Sequence, residues 1–204
     1  MHIADPKVKW HVFALALLML ALGAPPLSEL ATPWLRYDRE LVEAGQVWRL
    51  VTCHLAHLNH WHMLMNVSGF VLCWFFFVDV LTRARLWLWL LVSTVLVGMA
   101  FYFFDTELQR YVGLSGILHG FLVLCLLLGW RSNPLLHTLV LAVVIGRLTW
   151  EQMPDYDVYY LRDVIAGRVH VNAHLYGSLV GALLGGSLCL ATHLKKKRKN
   201  PALS

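Results

Sequence analysis

Charge is what this chain has least of. Only 14% of its 204 residues are Asp, Glu, Lys or Arg, while 58% are hydrophobic and the mean hydropathy is +0.59. So few charges cannot cover a water-facing surface, which excludes a soluble globular domain and leaves a polytopic membrane protein. Also missing is any polar linker, Pro/Gly/Ser-rich tract or internal repeat that would separate two folded units, so one domain over residues 1–204 is expected. Cysteine is sparse: Cys53, Cys73, Cys125 and Cys189 show no CxxC spacing, and the last three fall in apolar runs. They read as buried apolar residues, not as a disulfide set or a metal site. There is no HExxH, and no carboxylate is expected inside the apolar segments to complete a metal-dependent catalytic site. The net charge of +5 comes largely from Lys195-Lys196-Lys197-Arg198-Lys199, which reads as a topology signal facing anionic lipid; no nucleic-acid partner is expected.

What is present is a series of apolar runs. Six membrane spans are expected, at about 10–24, 62–80, 86–104, 114–130, 135–150 and 171–194, in an all-α bundle. The first is short and stopped by Pro25-Pro26, and a cleaved signal peptide is its competing reading. Residues 27–59, with Trp34, Arg36, Tyr37, Asp38 and Trp48-Arg49, are too irregular to span and read as a long interfacial loop. Lys7, Lys9, Arg83, Arg85, Arg131 and the 195–204 tail fall on one face. Asp38, Glu40, Glu43, Asp105, Glu107, Glu151, Asp155 and Asp157 fall on the other. By the excess of positive charge both termini are cytoplasmic, and the starts of the second, fourth and sixth spans lie at the outer face.

Those three starts carry the residues of interest. Gly113-Leu114-Ser115-Gly116 opens an apolar helix, and a hydroxyl in hydrocarbon costs free energy unless it finds a partner. A serine is a weak nucleophile until a base takes its proton, and His174 is the candidate base at matching depth in the sixth span. His174, Gly177, Gly181 and Gly185 share one helix face, and Gly116 and Gly120 share another. Faces without bulk let two backbones approach closely, as a serine and histidine on separate helices require, although such faces also serve plain helix packing. His62 and Asn66, four residues apart, stack on one face of the second span and are candidate donors to a developing oxyanion; an interhelical hydrogen bond is the alternative role for Asn66.

Three blocks, WRLVTCHLAHLNHWHMLMN (Trp48 to Asn66), GLSG (Gly113 to Gly116) and AHLYGSLVG (Ala173 to Gly181), resemble the signature blocks of the rhomboid family of intramembrane serine proteases. The resemblance implies a six-helix rhomboid bundle without cofactor or metal, with Ser115 as nucleophile and His174 as general base. It further implies His62, Asn66 and the Ser115 backbone N–H as oxyanion donors, and the second and fifth spans as the substrate gate. The family works with a dyad, so no third acidic member is expected. His119, one turn after Ser115 where many rhomboids carry an aromatic, and the minimal core are similar to rhombosortases. That subgroup processes bacterial surface proteins bearing a Gly-Gly motif, an apolar C-terminal helix and a basic tail. The implied setting is a bacterial inner membrane with the site opening to the periplasm, and the implied partners are membrane-anchored substrates and the lipid bilayer. Gly113, Gly116 and His119 are candidate substrate-binding or tuning residues; whether His119 tunes His174, contacts substrate or packs stays open.

Rival readings are a rhomboid protease without Gly-Gly preference, a client-holding rhomboid-like protein without activity, and a metal-binding transporter. The last would use His54, His57, His60, His62, His119 and His174, which all fall near one face. Of these, His57 reads as loop-stabilising and His54 and His60 as interface or solvent-facing.

Overall fold

The computed structural model describes residues 7–154 and 156–199; Asp155 and the end of the basic tail, among the sequence features above, lie outside them. Six longer helices occupy the expected places: α1 (Val8–Gly23), α5 (His60–Phe76), α6 (Arg83–Phe104), α7 (Ser115–Gly129), α8 (Pro134–Glu151) and α10 (Val171–Lys199). Three of them, α6, α8 and α10, are long and apolar enough to cross a membrane. A fourth is counted if α1 and the short α2 (Leu27–Leu35), bent by 101° across Pro25-Pro26, form one span. α5 and α7 have 17 and 15 residues.

Their ends are set by polar side chains. Asn59, Thr82 and Asn133 each accept a first-turn N–H, at 2.9, 3.3 and 3.2 Å, and so start α5, α6 and α8. Pro134, whose missing N–H costs nothing at a first helical position, helps begin α8.

Segment 27–59 is not the long loop expected. It holds α2, β1 (Tyr37–Asp38), α3 (Arg39–Glu43) and α4 (Arg49–Thr52). The order comes from tertiary bonds. Arg49, 2% exposed, donates to the carbonyls of Pro33 and Arg36 and to Gln46 Oε1, fastening α4 beneath α2. Arg39 donates to the carbonyls of Phe101, Tyr102, Asp105 and Leu108, which caps the C-terminal end of α6. β1 pairs antiparallel with β2 (Arg110–Tyr111), and Asp38 bridges Arg36 and Arg110. Three residues separate β2 from Ser115, so segment 27–59 is tied to the loop that precedes this serine.

The core lies between α5, α6, α7 and α10, where Trp89 stacks on Phe121 at 4.2 Å beside Phe70. The outward faces are apolar as well: Phe76, Phe104 and Val143 are 71%, 78% and 72% exposed. Large apolar side chains turned outward all round require hydrocarbon, not water, as the surrounding solvent.

α7 and α10 make the most extensive helix contact. A Cβ at Gly116 would stand 2.6 Å from the Ala173 carbonyl oxygen, and Cβ atoms at Gly120, Gly177 and Gly181 would overlap backbone of the opposite helix. Only glycine permits this approach. The cysteines are all free; Cys53 and Cys125 are buried, whereas Cys189 is exposed on α10, contrary to its reading as buried. Its Sγ lies 3.6 Å from the Leu127 carbonyl of α7, so it sits at the edge of that helix contact and is not enclosed by it.

Candidate active site

The glycine contact sets the side chains of Ser115 and His174 against each other. Ser115 is the first residue of α7 and His174 lies in the first turn of α10, and Ser115 Oγ is 3.1 Å from His174 Nε2. The other ring nitrogen, Nδ1, donates to Glu151 Oε2 at 2.8 Å. An ionised carboxylate only accepts, so Nδ1 carries the proton and Nε2 presents its lone pair to the serine hydroxyl.

Glu151 overturns two expectations. The sequence places it in an acidic outer loop and provides no carboxylate among the helices, yet it is the last residue of α8 and its side chain is 1% exposed. Its other oxygen accepts from Arg147 Nε at 2.8 Å, and Arg147 also bonds Tyr156 Oη. A signal was available: Arg147 and Glu151 stand four apart in an apolar run, the spacing of a pair on one helix face.

His62 and Asn66 line the same cavity of about 1200 Å³ as Ser115, His119 and His174. His62 Nδ1 accepts the Leu58 N–H at 3.4 Å, which leaves its Nε2–H free to donate. Asn66 is 4% exposed and its Nδ2 has no hydrogen-bond partner. Buried amide donors are almost always paired, so an unpaired one in the cavity that Ser115 lines is a donor open to an acceptor there. The first-turn N–H groups of α7 have no partner inside their own helix and supply a further donor at Ser115.

Gly113 accommodates His62. Its φ is +135°, which side chains rarely adopt, and a Cβ there would lie 2.9 Å from His62 Cε1. Its carbonyl accepts from Tyr111 Oη at 2.9 Å and faces His54 Nδ1 at 3.4 Å, while its N–H donates to the Cys53 carbonyl. The loop before the serine is therefore held from three sides.

His54 is fully buried, not solvent-facing, with one nitrogen 3.4 Å from the Gly113 carbonyl and the other 3.3 Å from the Thr94 carbonyl, and a neutral ring donates to one of the two. Burial lowers its pKa to about 4, so it is neutral. His57 is buried edge-on against His62, and burial lowers its pKa to about 3; His60 is exposed. His119 stacks on His174 with ring centroids 4.0 Å apart, and its Nδ1 faces the Ser115 carbonyl at 2.8 Å. His170 and Asn172 both bond Asp105 Oδ2, steadying the entry to α10. Among the described residues no three His, Cys, Asp or Glu side chains converge as metal ligands.

Fold and site together define a membrane-embedded helical protein with a serine and an imidazole in hydrogen-bond contact beside unpaired donors. Residues 44–191 match the family model for the Rhomboid domain, and the chain belongs to the rhomboid family. Rhomboids are intramembrane serine proteases that act on membrane-anchored proteins within the bilayer. No curated protein matches the sequence.

Proposed function

We propose that the chain is an intramembrane endopeptidase in which Ser115 is the nucleophile and His174 the general base. The observation that carries the reading is the 3.1 Å contact between Ser115 Oγ and His174 Nε2 in a cavity shared with His62 and Asn66. Ser115 Oγ attacks the scissile carbonyl carbon as His174 Nε2 takes its proton, and the carbonyl oxygen becomes an oxyanion. His62 Nε2–H, Asn66 Nδ2–H and the Ser115 N–H donate to that oxygen. On collapse the C–N bond breaks, His174 returns the proton to the leaving amine, and an acyl-enzyme remains. Water attacks it with His174 again as base, which restores Ser115. Another nucleophile reaching the ester would give transfer in place of hydrolysis.

The site is a single rhomboid domain of six spans in a bacterial inner membrane, with cytoplasmic termini and a periplasmic opening. Supporting this are the basic residues on one face and the acidic ones on the other. The rhombosortase assignment, with cleavage at a Gly-Gly motif before a C-terminal helix, is supported by His119 one turn after Ser115 and by the minimal core. Glycines weaken a helix end by about 1 kcal/mol each, which helps a scissile segment unwind.

Intact-mass analysis after treatment with a serine-directed fluorophosphonate, with and without chelator, tests the chemistry. The expected result is one adduct on the parent, none on Ser115→Ala and little on His174→Ala, all indifferent to chelator. An adduct retained by Ser115→Ala removes the assignment, and chelator-sensitive activity restored by zinc favours the metal reading. A reporter with a Gly-Gly motif cleaved no faster than its Ala-Ala counterpart sinks the specificity.

A further inference from the structure

We infer that Glu151 is a positioning residue that completes a Ser115–His174–Glu151 triad by fixing the tautomer of His174. The inference rests on the Ser115 and His174 roles proposed above.

A carboxylate with a side chain 1% exposed is costly unless paired. Arg147, one turn earlier on α8, already supplies that pairing through Oε1. The second oxygen nevertheless meets the imidazole of a residue on α10 at 2.8 Å, a bond that structural pairing with Arg147 does not require. Arg147 is itself held by Tyr156 Oη and lies over the Trp150 and Tyr156 rings at 5.3 and 5.2 Å. Each carboxylate oxygen therefore has one partner, and the carboxylate cannot rotate away from His174 without losing both bonds.

The chemical consequence follows from counting protons. A neutral imidazole has one N–H, and Glu151 draws it to Nδ1, which leaves Nε2 free to take the Ser115 proton. With the proton on Nε2 instead, the ring would donate to Ser115 Oγ and serve as no base at all. When Nε2 does take the proton, the imidazolium lies against a carboxylate whose side chain is 1% exposed, so the contact is little weakened by solvent and stabilises the charge. The other charged or titratable groups near His174 are His119, His62, His170 and Arg147. None of these is an anion, and Asp105 is turned to His170 and Asn172, so among the described residues Glu151 is the carboxylate that meets the His174 ring.

The test uses the full chain purified in detergent, with a fluorophosphonate as probe. Glu151→Gln should lower the maximal labelling rate about 10³–10⁴-fold while the half-saturating probe concentration stays unchanged, and Glu151→Asp should recover part of the rate. Thermal unfolding of both variants separates this from loss of structure. A second measurement needs no variant at residue 151. In protein carrying ¹⁵N-histidine, the ring signal missing from His174→Gln should show a proton on Nδ1 with a far-downfield ¹H shift. Glu151→Gln labelled as fast as the parent, or His174 found with its proton on Nε2, overturns the triad while the nucleophile assignment stands. A parent that takes no adduct at Ser115 overturns both.

Discussion

Replacing Gly116 by alanine tests whether the helix contact sets the catalytic distance. The new Cβ would lie 2.6 Å from the Ala173 carbonyl oxygen, 0.8 Å short of the 3.4 Å at which ordinary contacts begin. The obstacle is backbone on a packed helix, so α7 and α10 must separate, with no side chain able to swing aside. Gly116 adjoins Ser115 and Ala173 adjoins His174, so the displacement falls on the reactive pair. Lengthening the 3.1 Å contact by the same 0.8 Å takes it to about 3.9 Å, beyond hydrogen-bond range. The misplacement should cost about 10²-fold in fluorophosphonate labelling or substrate turnover. Overpacking should destabilise the fold by about 1–3 kcal/mol, visible as a lower but still cooperative unfolding midpoint. Gly186→Ala is the control, because no heavy atom stands within 4 Å of a Cβ there on the same α10. Parental activity in Gly116→Ala, or an equal loss in Gly186→Ala, would refute the reasoning.

Asn66→Ala should lower kcat about 10²–10³-fold and leave substrate binding intact, as loss of an oxyanion donor does; unchanged turnover removes Asn66 from that role. Gly113→Ala should cost about 1–3 kcal/mol of stability from its φ of +135° and displace His62, so unfolding and labelling should both suffer; a variant indistinguishable from the parent contradicts the packing described. His54 is held neutral by burial, with its pKa lowered from 6.5 to about 4. The unfolded chain therefore binds a proton first as pH falls. Stability from this residue is full above pH 6.5 and drains between 6.5 and about 4, by up to about 3 kcal/mol. Thermal unfolding across that window should show the decline, to which buried His57 adds, and His54→Gln should make it shallower; a variant that falls as steeply as the parent argues against it.

The long helices were legible because their apolar runs are uninterrupted, and their ends moved by only a few residues where Asn59, Thr82 or Asn133 caps the first turn. The segment 27–59 was opaque for the opposite reason. Its short elements have no periodicity of their own and are ordered by Arg39, Arg49 and the β1–β2 pair, whose partners lie on distant stretches of chain. His54 was misplaced likewise, since its acceptors belong to Gly113 and Thr94. Ser115, His174, His62 and Asn66 stood out as polar residues at the mouths of apolar helices. Glu151 stood in an acidic stretch that disguised it; only the turn of α8 shows that its side chain faces inward while Trp150 and Met153 beside it face outward.

A protease in a bilayer must find its co-substrate, water, in the driest part of the cell. The cavity of about 1200 Å³ has room for about forty water molecules at about 30 Å³ each. Its walls include Arg36, His57, His60, Arg110 and Arg168, groups that keep such a volume wet. An acyl-enzyme on Ser115 would then form at the wall of a cavity with room for solvent. An amine acceptor present in trace amounts would have to be held in place to compete with water in a space of that size.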